Sequence, residues 1–144
     1  MIADYNTMPM MFWECNDKYF GHSLPTPKFG LMKKLNLLAR FEYYPGKRGK
    51  HPIKRQRIMF SEYYDFDEET FRNMMVHEMI HYYIAWNRIK DNRFHGKEFM
   101  KMANEMKAKY GLNITKTIDA STFKLTEKAP QTVKKKNIFA FLFR

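Results

Sequence analysis

Cysteine is almost missing: Cys15 is the only one in 144 residues. That excludes an intrachain disulfide and any zinc module built on paired cysteines, and it makes a reducing compartment the expected setting. Glycine and proline are also sparse, six of each, and no short repeat recurs. Collagen-like, solenoid and low-complexity classes are therefore excluded. Long apolar runs are missing too. Ile138 to Phe143 falls far short of the roughly 20 residues a membrane helix needs, and the N-terminal stretch is broken early by Asp4 and Pro9. No membrane partner and no ordinary secretory signal is expected. Acidic residues are outnumbered, 15 Asp+Glu against 26 Lys+Arg, so the net charge of +11 favours partners carrying negative charge.

What remains is 44% apolar, ample for one core at this length. The pattern predicts a helix starting at Thr7 as N-cap, with Pro9 in its first turn, Met11, Phe12, Cys15 and Tyr19 on one face, and Gly21 beyond its end. Strand formers occupy Lys28 to Lys33, Asn36 to Tyr44 and Ile53 to Tyr63 between turn residues, which reads as a small, mainly antiparallel sheet. At Phe66 the period changes to that of a helix. Asp67 is its N-cap, Glu68 and Glu69 suit its positive end, and Phe66 can staple onto Phe71. This second helix is expected from about Glu68 to about Arg88. A third, from about Gly96 to Tyr110, carries Phe99, Met102, Ala103 and Met106 on one stripe and stops at Gly111. Leu112 to Ile118 reads as a short strand, and the closing NIFAFLFR as a strand in need of a partner.

The second helix contains His77-Glu78-Met79-Ile80-His81. Residues i and i+4 share a helical face one turn apart, so His77 and His81 can present imidazole nitrogens to one Zn²⁺. Glu78 projects beside them, poorly placed as a ligand but well placed to take the proton of an attacking water and pass it to a leaving amine. Two histidines and a glutamate can fall together on an amphipathic helix by chance, so a third ligand is the deciding feature. His95, 14 residues after His81 and just before Gly96, is the natural candidate. The metzincin spacing fails, because Ile84 and Asn87 stand where its glycine and histidine belong. Glu98 or Glu105 as a carboxylate ligand stays open. His22 and His51, in apparent loops, read as surface histidines.

These residues resemble the SprT-like family of zinc metallopeptidases. The resemblance runs in order through Asn16 to Pro25, HEMIHYYI from His77, HGKEFMKM from His95 and GLNIT from Gly111, about residues 10 to 118. It implies an α+β, minimal zincin-like domain: a small, mainly antiparallel sheet packed with an N-terminal helix, the long metal-binding helix and a third helix. Residues 1–120 would form this catalytic domain, with 121–144 a loop and strand completing or flanking it. It also implies one Zn²⁺ per chain on His77, His81 and His95, acid and base work by Glu78, and protein substrates bound or crosslinked to DNA, with DNA as activator. Many members add a zinc module built on paired cysteines; this chain, with Cys15 alone, is expected to lack one. The expected location is the cytoplasm, at the nucleoid where DNA is bound.

Basic residues crowd the segment from Lys33 to Arg57. Lys47, Arg48, Lys50, Lys54, Arg55 and Arg57 are the candidate phosphate contacts for single-stranded or damaged DNA, with Tyr43, Tyr44, Tyr63 and Tyr64 available to stack on bases. The same residues equally suit a solvated strand face over ordinary core tyrosines, and Lys134 to Lys136 suit a soluble turn. Tyr82, Tyr83 and Arg93 are candidates for oxyanion stabilisation, with none preferred. Two other readings stay open: a DNA-binding protein whose zinc site is structural or vestigial, which a fourth protein ligand would favour, and a zinc hydrolase acting on a small molecule, which an enclosed pocket would favour.

Overall fold

Seven consecutive residues, Met74 to Ile80, are fully buried in the middle of the longest helix, and this sets the architecture. A helix covered on every side must lie between layers. The computed structural model, which describes residues 1–43, 56–91, 94–130 and, by backbone alone, 139–141, shows those layers. The buried helix, α2 (Glu68–Trp86), packs against the N-terminal α1 (Thr7–Tyr19), against α3 (Lys97–Tyr110) and against a small sheet.

Local chemistry fixes the starts of α1 and α2. Asp67 caps α2, its carboxylate accepting from the Thr70 N–H at 2.7 Å and from the Thr70 hydroxyl at 2.8 Å, and Phe66 packs edge-on against Phe71 with centroids 6.0 Å apart. Burying a ring such as that of Phe71 stabilises the fold by roughly 1.5–3 kcal/mol. At α1 the cap differs from expectation. Thr7 is the first helical residue, and the side chain of Asp4 accepts from the Asn6 and Thr7 N–H groups at 2.8 and 2.7 Å. The Thr7 hydroxyl in turn accepts from the Asp4 N–H at 3.0 Å, a reciprocal pair that satisfies the exposed end. Gly111 ends α3 in the left-handed region at φ 72, where a side chain would be strained.

The sheet joins β1 (Lys28–Met32), β2 (Ala39–Glu42) and β3 (Arg57–Ser61) in the order β1-β3-β2. Antiparallel pairing holds β2 to β3, as the sequence suggests, but β1 runs parallel to β3, in register from Lys28 opposite Arg57 to Met32 opposite Ser61. The sheet is therefore mixed. Two further antiparallel pairs lie outside it. One joins β4 (Tyr64–Asp65) to β6 (Lys124–Leu125); the other joins β5 (Thr117–Asp119) to β7 (Phe139–Phe141). The closing apolar segment thus finds its partner in β5. The strand foreseen over Leu112 to Ile118 is confined to β5. Residues 112–116 run irregularly instead, because Leu112 is buried under α3 while the Thr115 carbonyl is used by a side chain of α2. No helix among the described residues is long and apolar enough to cross a membrane.

Candidate metal centre

Helix α2 carries His77 and His81 one turn apart, and the turn before α3 brings His95 back over them. Nε2 of His77 lies 3.2 Å from Nε2 of His81 and 3.1 Å from Nε2 of His95. Two nitrogens bound tetrahedrally at 2.0–2.1 Å stand about 3.3–3.4 Å apart, so this spacing fits one shared ion. Among the described residues the cluster contains these three histidines and no other His, Cys, Asp or Glu; neither Glu98 nor Glu105 joins it.

The tautomer of His77 is fixed from outside the cluster. Nδ1 of His77 sits 2.9 Å from the Thr115 carbonyl, which only accepts, so Nδ1 carries the hydrogen and Nε2 keeps its lone pair. Beneath the cluster lies Phe99, 1% exposed, with ring centroids 4.9, 4.6 and 4.8 Å from those of His77, His81 and His95. An apolar floor touching all three imidazoles removes water from one side and limits their rotation.

Burial dominates the electrostatics. Desolvation, followed by the charges of His81 and His95, holds His77 well below the ordinary imidazole value of 6.5. Desolvation brings His81 to about 3, and desolvation with the nearby Lys116 brings His95 to about 4. All three therefore stay neutral, the form that binds a metal. Glu78 is fully buried and neither carboxylate oxygen has a hydrogen-bond partner among the described residues; desolvation pushes its carboxyl well above the ordinary value. Its Oε2 lies 3.9 Å from Nε2 of His77, beside the ligand set rather than within it.

A pH dependence follows for the metal-free protein. Each histidine has a folded value below its unfolded 6.5, so between pH 6.5 and about 4 the unfolded chain binds more protons and stability rises with pH. Glu78 acts oppositely above its unfolded 4.5, but it is one group against three. Metal-free protein is expected to show a urea midpoint that climbs from pH 5 to 6.5, above the window of the lowered aspartates. A flat or falling midpoint would contradict this arrangement.

The other candidates fall elsewhere. His22 is exposed, at φ 59, and pairs with Asp17 at 2.5 Å. His51, Tyr44, Arg93, Lys47, Arg48, Lys50, Lys54, Arg55 and Lys134 to Lys136 lie outside the described residues. Arg57 does not stand alone as a phosphate contact. Its Nη2 meets Glu42 at 2.8 Å directly across the β2–β3 pair, and Arg40 meets the same carboxylate at 2.6 Å. Tyr64 cannot stack on a base, being fully buried with its hydroxyl on the Leu35 carbonyl at 2.7 Å. The Tyr82 hydroxyl is committed to the Pro25 carbonyl at 2.9 Å. Cys15 is buried and its thiol is pushed up to about 12 by desolvation, so it is inert.

Three contributors escaped the sequence reading. Thr115 acts through its backbone, which leaves no side-chain signal. Phe99 was visible only as one member of an apolar stripe, and Lys116 only as one lysine among many. Compared with known proteins, residues 8–118 match the model of the SprT-like family. No curated protein matches the chain.

Proposed function

The chain belongs to the SprT-like family, and from that membership and the geometry of the histidine cluster we propose that it is a zinc-dependent endopeptidase. One observation carries the reading. Three Nε2 atoms converge, that of His77 with its lone pair turned inward by the Thr115 carbonyl, while a buried carboxyl with no hydrogen-bond partner among the described residues stands at their edge. Three neutral imidazoles with a position left for water or substrate suit catalytic zinc. A structural site has no use for a carboxyl whose desolvation nothing offsets.

His77, His81 and His95 would hold the ion, which when bound supplies Lewis acidity for the scissile carbonyl and for the attacking water. Glu78 takes a proton from that water as it attacks the carbonyl carbon, then returns it to the amine nitrogen as the C–N bond breaks. Phe99 and the surrounding core keep bulk water from competing with this transfer. The substrates we propose are proteins bound to DNA in a reducing cytoplasm, on the strength of the +11 charge and the lysines and arginines of residues 47–55.

The test is cleavage of a basic DNA-binding protein by the purified chain, with and without single-stranded DNA. One zinc per chain, cleavage lost on chelation and regained with zinc, and acceleration by DNA that fades as salt rises are expected. Zinc bound at one per chain with no cleavage would replace the peptidase with a metal-holding binding module. Cleavage indifferent to DNA would remove the nucleic-acid part alone.

A further inference from the structure

The N-terminus of α3 is capped from outside the helix. Gly96 occupies the N-cap position without a side chain, so the first free N–H groups of α3 have no local acceptor. Asp91, five residues earlier, supplies it: Oδ2 accepts from the Phe99 N–H at 3.0 Å and Oδ1 from the Glu98 N–H at 3.3 Å. The seat is tight. A Cβ on Gly96 would stand 2.1 Å from Asp91 Oδ1, although the φ of −82 at Gly96 is one that any residue adopts. A side chain at position 96 would therefore displace the Asp91 carboxylate from its seat, while the backbone there would accept it.

His95 lies between these two anchored points, and Phe99, whose N–H the carboxylate holds, touches all three imidazoles. We propose that Asp91 is the positioning residue of the third metal ligand: seated against Gly96, it ties the α2–α3 connection to the first turn of α3 and thereby fixes both His95 and Phe99 against the metal helix. The inference rests on the metal-centre reading above. Without the tie, the turn bearing His95 must be ordered when metal binds, and that ordering is taken from affinity. Its negative charge also favours the helix N-terminus it caps.

The experiment measures Zn²⁺ affinity by competition with a chromophoric chelator, and the visible spectrum of the Co²⁺-loaded chain, for wild type, Asp91→Ala, Asp91→Asn, Gly96→Ala, the Asp91→Ala/Gly96→Ala double variant and His95→Ala. Asp91→Ala is expected to weaken Zn²⁺ about 10–100-fold, the range for lost outer partners of metal ligands. Its Co²⁺ spectrum is expected to shift towards that of His95→Ala. Asp91→Asn, which keeps an acceptor oxygen, is expected to recover part of the affinity. Gly96→Ala, which expels the carboxylate without straining the backbone, is expected to match Asp91→Ala and to add nothing on top of it. If Asp91→Ala does not fold, Gly96→Ala and Asp91→Asn report the same quantity. Variants that lower the urea midpoint yet bind Zn²⁺ as wild type does, with an unchanged Co²⁺ spectrum, would overturn the proposal. Failure of wild type itself to bind one Zn²⁺ would instead overturn the metal-centre reading.

Discussion

Glu78→Gln is expected to lower the rate of peptide hydrolysis by about 10²- to 10⁴-fold while the protein still binds zinc, the range in which a positioned acid and base contributes. At 1.36 kcal/mol for each factor of ten, that is about 3–5 kcal/mol of transition-state stabilisation carried by one proton-transferring group. Glutamine keeps the shape and fills the same buried volume, and Glu78 lies outside the three-nitrogen cluster. Affinity for zinc therefore changes little while turnover collapses. Titration gives an independent readout. Burial holds the Glu78 carboxyl well above its ordinary value, so the metal-free folded state resists ionising it and loses stability as pH rises above 4.5. The metal-free glutamine variant is expected to escape that loss, its urea midpoint gaining on wild type from pH 5 towards pH 8. A divalent ion nearby acts the other way, favouring the carboxylate that the chemistry requires. Full hydrolytic activity in Glu78→Gln would remove this residue from the reaction.

What the sequence makes legible here is local, and what it hides is not. Asp67 as cap, the Phe66–Phe71 staple and Gly111 as stop are written in neighbouring residues, and the structure shows each of them. The pair His77 and His81 is likewise set by the helical repeat alone. The arrival of His95 depends on the turn that returns the chain, and that turn is held by Asp91, whose role as a cap five residues upstream follows no short-range pattern. The tautomer of His77 is set by a backbone carbonyl 38 residues away. Sheet pairing is hidden for the same reason. Nothing near Lys28 says that it runs parallel beside Arg57, and nothing near Arg40 says that Glu42 meets two arginines. Charge read along the chain overstates the free cations on that strand face, because cross-strand neutralisation appears only once register is known.

His77→Ala is expected to abolish both metal binding and hydrolysis, with Zn²⁺ affinity falling by more than about 100-fold, beyond what loss of an outer partner costs. His77 is central to the cluster, its Nε2 lying within 3.2 Å of both other Nε2 atoms. Its removal leaves His81 and His95 with no shared third donor and leaves the Thr115 carbonyl without the ring N–H it accepts. Metal content after dialysis against a weak chelator is the direct measurement, and retention of one zinc per chain would contradict the ligand assignment. Beside Glu78→Gln this variant makes a sharp pair. The two residues are adjacent in sequence and equally inaccessible, so general damage to the core would affect both alike. A ligand and a proton carrier would not: one substitution empties the site, and the other leaves it loaded but idle. Only a division of labour between an imidazole that holds and a carboxyl that transfers produces that split.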